Sequence, residues 1–156
     1  MQIHQIPQLR NPVAILAFNG WNDAGEAATG VISHLLNCWA SKENLIAESS
    51  SEDYYDYQQI RPTVFVDNSR IRRLTWPSTK IFAVLTPHLD FDLVLVRGPE
   101  PSFRWPTFCN ELLDLFDDLE VNLVLTLGAL LADAPHTRRI SVSGSSPNPE
   151  LAKRFG

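Results

Sequence analysis

An apolar run, Val13-Ala14-Ile15-Leu16-Ala17-Phe18, stops at Gly20 and gives way within a few residues to a helical pattern. Six apolar residues in a row, followed by Asn19 and a glycine, suit a buried strand. Asp23 and Glu26 follow with the spacing of a capping box. Ala27, Ala28, Val31, Ile32, Leu35, Leu36 and Trp39 then recur at three and four, giving one apolar helix face that should end near Ala40. A buried strand that turns tightly into an amphipathic helix is the unit from which α/β sheets are built. The carboxyl ends of such strands are where their sites lie.

The rest of the chain extends this pattern. Leu45-Ile46-Ala47, Lys80 to Leu85, Leu93-Val94-Leu95-Val96, Leu123 to Leu127 and Ile140-Ser141-Val142 read as strands. Thr63 to Val66 and Ile71 to Trp76 flank Asp67-Asn68-Ser69-Arg70, a hairpin signal with arginines on its second strand. A second helix is predicted from Trp105 to Leu119, with Trp105, Phe108, Cys109, Leu112, Phe116 and Leu119 as its stripe. Its solvated face carries Glu111, Asp114, Asp117, Asp118 and Glu120. Ser49 to Tyr57 reads as a polar, aromatic loop. Asn148 and Pro149 have the cap and first-turn chemistry of a helix start, close to the last residue. Short buried strands with crossover helices imply an α/β fold whose sheet is mixed and largely parallel, with helices on both faces and the hairpin at an edge.

The length of 156 residues suits one α/β domain. A formal net charge of -5 argues against general affinity for nucleic acid or an anionic membrane. The opening residues have no apolar signal-peptide core, and the longest apolar run, Leu123 to Ala132, is too short to span a bilayer. Cys38 and Cys109, both within helical apolar patterns, read as buried free thiols of a cytoplasmic protein.

Three loops leave the presumed parallel strands at their carboxyl ends: 20–23, 97–105 and 132–139. They offer Asn22, Asp23, Arg97, Glu100, Arg104, Asp133, His136 and Arg138, a set that could line an anion pocket with His136 as an acid–base group. Each has a plainer role: Asp23 as a helix cap, the arginines and acids as loop-locking pairs, His136 as a loop hydrogen-bonder. Trp21 and Trp105 read as packing under the loops. Tyr54, Tyr55 and Tyr57, inside Glu52 to Tyr57, are either partly packed or face a partner. Gly20, Gly25 and Gly30 match neither dinucleotide nor P-loop spacing, and there is no G-x-S-x-G elbow. His4, His34, His88 and His136 lack metal-ligand spacing. No catalytic residue, metal or cofactor is assigned.

GWNDAGEAATG, EDYYDYQQIRP, LTWP, RGPEPSFRW with FCNELL, and TLGALLADAPHTR occur in that order. Together they resemble the proteasome assembly chaperone 2 family in its bacterial form, over roughly residues 12 to 155. The resemblance implies a three-layer α/β domain similar to the purine nucleoside phosphorylase and peptidyl-tRNA hydrolase folds. It also implies homo-oligomers, and protein partners such as proteasome-related or other assembly subunits. Eukaryotic and archaeal relatives bind proteasome components, some through a hydrophobic–tyrosine–any tail. The resemblance transfers no active-site residue. It implies a domain that continues past Phe155-Gly156, so the chain reads as incomplete at its C-terminus. The leading expectation is a non-catalytic protein-binding or assembly module. The alternative is an enzyme or small-ligand binder for an anionic, nucleoside-like compound at the carboxyl end of the sheet.

Overall fold

A computed structural model describes residues 1–39, 44–66 and 70–155. Its centre is a six-stranded sheet formed by β1 (Gln2–Ile3), β2 (Val13–Asn19), β3 (Asn44–Glu48), β6 (Lys80–Val84), β7 (Leu93–Pro99) and β8 (Leu123–Leu127). Their order is β1-β3-β6-β7-β2-β8. β4 (Thr63–Val66) and β5 (Arg72–Thr75) form a separate antiparallel pair. The helices are α1 (Ala27–Trp39), α2 (Ser51–Tyr54), α3 (Trp105–Asp118) and α4 (Pro149–Phe155).

The layers follow from strand alternation. On one face Ala17, Phe82, Val84, Leu93 and Leu95 pack with Ala28, Ile32 and Leu36 of α1. On the other, Ala14, Leu16, Ile81, Ala83, Val94 and Val96 pack with Phe108, Leu112, Leu115 and Phe116 of α3. Each such side chain taken fully from water contributes about 1.5–3 kcal/mol for the larger aliphatics and aromatics. Leu93 to Val96 is buried on both faces, as a run without polar alternation requires. The mixed sheet with helices on both faces is the α/β architecture expected.

The balance of pairings differs from the largely parallel expectation. β2 is parallel to β7 and to β8, whereas β1–β3, β3–β6 and β6–β7 are antiparallel. The link from β6 to β7, residues 85–92, is too short for a crossover and can only return the chain antiparallel. The hairpin is not an edge of the main sheet but stands apart from it; its turn residues 67–69 lie outside the described residues, as does Ala40, where α1 was expected to end.

Other expectations are corrected by burial. Ile140 to Val142 forms no strand and is exposed. Cys38 and Cys109 are exposed thiols: each sits on the outer flank of its helix, beside rather than within the buried stripe. Trp21 is 88% exposed and Trp105 also faces outward, so neither packs under a loop. The 49–57 segment contains α2, and Tyr54 and Tyr55 are core residues. Asn148 does cap α4, its Oδ1 accepting from the Glu150 amide at 3.0 Å.

Candidate functional site

Because β2, β7 and β8 run parallel, their carboxyl ends share one pole of the sheet. The turn after β2 begins at Gly20, whose φ of 146° suits glycine, and a Cβ there would stand 3.7 Å from Glu100 Oε2. The backbone following β8 is stitched to this turn: the Ala129 amide donates to the Asn22 carbonyl at 2.7 Å, and the Ala24 amide donates to the Ala129 carbonyl at 3.0 Å. The Asn22 side-chain oxygen is buried without a hydrogen-bond partner among the described residues.

Asp23 takes the capping role. Its Oδ1 accepts from the Ala28 amide at 2.8 Å and the Thr29 amide at 3.2 Å, and its Oδ2 accepts from Thr29 Oγ1 at 2.5 Å. These are donors of the first turn of α1, reached across the 3₁₀ turn Ala24–Glu26, so the Asp–Glu capping box is not the device used. Burial pushes the Asp23 carboxyl up, but the bonds from Thr29 and Ala28 outweigh it and hold the group below the usual carboxylate range. It is a spent acceptor rather than a general acid.

Arg97 lies on the α1 face. Its register neighbours are Ala17 on β2 and Lys80 on β6. Its Nη1 donates to Ser33 Oγ at 2.7 Å, and that hydroxyl donates in turn to the Thr29 carbonyl at 2.9 Å. Asn19, Glu26, Thr29, Ser33 and Arg97 line a cleft of about 220 Å³. Of the eight loop residues expected to converge, Arg97 alone lines it.

The others are placed elsewhere. Arg104 starts α3 at a left-handed φ of 55° and pairs with Asp53 at 2.9 Å. Its guanidinium carbon is 5.9 Å from the centre of the Tyr54 ring, on the α3 side of the sheet. Asp133, His136 and Arg138 lie on an exposed segment without helix or strand, and no side-chain bond joins them to the other five among the described residues. Tyr54 donates to Glu111 Oε2 at 2.5 Å and is pushed up to about 12 by burial and that carboxylate. Tyr55 lies at hydrogen-bond distance from Ser49 Oγ, 2.9 Å, and Thr79 Oγ1, 2.8 Å. These two tyrosines tie α2 to the core and are removed from any partner-facing role. Tyr57 is half-buried and packs on Trp76, ring centres 4.8 Å apart.

Asn19, Thr29 and Ser33 were missed as site residues, and Glu26 was read only as a cap. A signal existed: Glu26, Thr29 and Ser33 stand at helical spacing beside the apolar stripe, directly after a strand that ends in Asn19. Among the described residues no three His, Cys, Asp or Glu side chains are grouped to hold a metal, and no helix is long and apolar enough to cross a membrane.

A mixed sheet between helical layers, with a polar cleft at the carboxyl end of its parallel strands, defines an α/β protein of the three-layer class. The family model described as the PAC2 family matches residues 17–156, and the chain belongs to that family. Among solved structures, a PAC2 family protein from Streptomyces avermitilis is 50% identical with a TM-score of 0.83, over 92% of this chain and 60% of its own. A proteasome-assembly chaperone homologue from Mycobacterium tuberculosis is 46% identical with a TM-score of 0.83, over the same 92% and 60%. A second Mycobacterium tuberculosis protein, of unknown function, is 27% identical with a TM-score of 0.83, over 99% of this chain and 55% of its own. The chain therefore spans about 60% of the length of the first two. No curated protein matches it.

Proposed function

We propose that this chain is part of a non-catalytic protein-binding module that acts in the assembly of a multisubunit complex, working in the cytoplasm as a homo-oligomer, with proteasome-related subunits the first class of partner to test. The observation that carries this reading is the β4–β5 hairpin. A lone two-stranded ribbon is marginally stable in water. This one leaves Val64, Phe65, Val66 and Leu74 each more than half exposed, with Trp76 at its root. Val64 opposes Leu74 and Val66 opposes Arg72, so three apolar side chains share one face with an arginine, the composition of a binding surface. The similarity to a proteasome-assembly chaperone homologue supports the same reading.

The test is affinity capture of the full-length protein from extracts of its own cells, beside a Val64→Ser/Leu74→Ser variant, with sedimentation of both. Recovery of proteasomal or other assembly subunits by the wild type and their loss with the variant is expected. Recovery of none by the wild type refutes the proposal.

A second reading, a small anionic or nucleoside-like ligand at the carboxyl end of the sheet, is favoured by one observation. Arg97 lines a cleft there with no carboxylate oxygen within 4.0 Å among the described residues.

A further inference from the structure

The cleft holds two unmatched charges of opposite sign. Arg97 has Ser33 Oγ as its one hydrogen-bond partner among the described residues, which leaves most of its guanidinium donors unspent. Lys80, its register neighbour on β6, lines a different cavity together with Glu48, which stands opposite it on β3, so Arg97 is the cation of this cleft. Glu26 lines the same cleft of about 220 Å³ and has no cation within 4.0 Å among the described residues. The opposite charges share the cavity without neutralising one another.

The supporting groups are fixed in orientation. Ser33 both accepts from Arg97 and donates to the Thr29 carbonyl, so its hydroxyl has one rotamer available. Thr29 Oγ1 donates to Asp23 and accepts from Asn19 Nδ2 at 3.4 Å, and Asp23 is itself held by the first turn of α1. Arg97 is thus held by residues that are themselves held, the arrangement of a preorganised binding group. At the start of α1 the Ala28 and Thr29 amides are bonded to Asp23 and the Ala27 amide to the Ala24 carbonyl, so these donors do not supply the anion site.

We propose that this cleft binds a small zwitterion of the amino-acid type, its carboxylate on Arg97 and its ammonium on Glu26. The proposal rests on the second reading above and names its ligand chemistry. A dianion would meet the Glu26 carboxylate, and a simple cation would meet Arg97. A molecule carrying both charges satisfies both sides. The lining of hydroxyls and an amide suits a short, polar ligand.

The experiment is calorimetry and ligand-observed NMR on the full-length protein with glycine, β-alanine and γ-aminobutyrate, a ladder that reads the charge spacing. Propionate and ethanolamine serve as the half-ligands. Saturable binding of one rung is expected, at least tenfold tighter than either half-ligand. Arg97→Gln should weaken it by at least tenfold, and Glu26→Gln should erase the preference over propionate, in line with the strength of charge-assisted bonds. Ser33→Ala, which leaves Arg97 in place but unpositioned, should weaken binding severalfold and stands in if Arg97→Gln does not fold. Propionate binding as tightly as every zwitterion would overturn the proposal while leaving the anionic reading intact. No binding by any probe would overturn both, and unchanged binding in Arg97→Gln or Ser33→Ala would overturn the assignment of the cleft.

Discussion

Asp92, immediately before β7, joins the pole of the sheet opposite the cleft, and replacing it with asparagine gives a quantitative test of that joint. Its side chain is 1% exposed and accepts four bonds. Oδ2 accepts from the Arg10 amide at 2.9 Å and Arg10 Nε at 3.3 Å; Oδ1 accepts from Arg10 Nη2 at 2.8 Å and the Thr86 amide at 2.9 Å. Whichever oxygen becomes an NH₂ group in Asp92→Asn confronts two donors, so buried donors lose their acceptor at a cost of about 2–4 kcal/mol at neutral pH. The hydrogen bond from Arg10 is the main cause that lowers the carboxyl from 3.8 to about 2. At about 1.4 kcal/mol per pH unit, that depression stabilises the fold by about 2.5 kcal/mol. Because the folded value lies below the unfolded one, this contribution is complete above the ordinary carboxylate range and fades as pH falls toward 2. Urea denaturation of both proteins from pH 7 downward should show the gap narrowing by about 1 kcal/mol by pH 3 and about 2 kcal/mol by pH 2. A gap independent of pH, or one below about 0.5 kcal/mol at pH 7 where a cost of about 2–4 is worked out, would refute the reasoning.

Two further substitutions probe the elements that frame the cleft. Gly98→Ala places a Cβ 2.4 Å from Thr79 Cα and 2.7 Å from the Ser78 carbonyl oxygen, both backbone atoms. It should cost about 3 kcal/mol or more and lower the melting temperature by roughly 6–12 °C, read by circular dichroism. Asp23→Ala removes the cap of α1 and should cost about 1–2 kcal/mol. The Ala28 and Thr29 amides should then exchange hydrogen faster, and the cost should shrink as pH falls through the carboxylate range because the Asp23 carboxyl is held low in the folded state.

The layers of the fold were legible because the apolar runs 13–18 and 93–96 lack alternation, and a strand buried on both faces needs helices above and below. The excess of antiparallel pairing was legible in principle from the eight residues between Val84 and Leu93, but composition draws attention to strands rather than to the length between them. The site was harder to read. Arg97 was placed in a loop because the apolar run ends at Val96, yet β7 continues to Pro99, and strand parity turns Arg97 toward α1. Arg104, seven residues on, lies on the other side of the sheet; nearness in sequence says nothing about face once a strand has ended. Tyr54 and Tyr55, among acids, left packed and partner-facing readings both open; the acids belong to the outer side of one helical turn and the rings to its inner side.

The strand order has a consequence for the birth of the molecule. Among the described residues β2 bonds within the sheet to β7 and β8 alone, with Val13 opposite Leu93 and Leu123. During synthesis this apolar segment must therefore wait for partners 80 and 110 residues downstream, which at ribosomal speeds is on the order of 4–20 s. Until then it is an unpaired, uncharged strand outside the exit tunnel, while β6 and β7 can already join through their short return. The newborn chain is most open to mispairing at the strand that later lies between β7 and β8, and a nascent-chain binder would find its target there rather than on the finished surface.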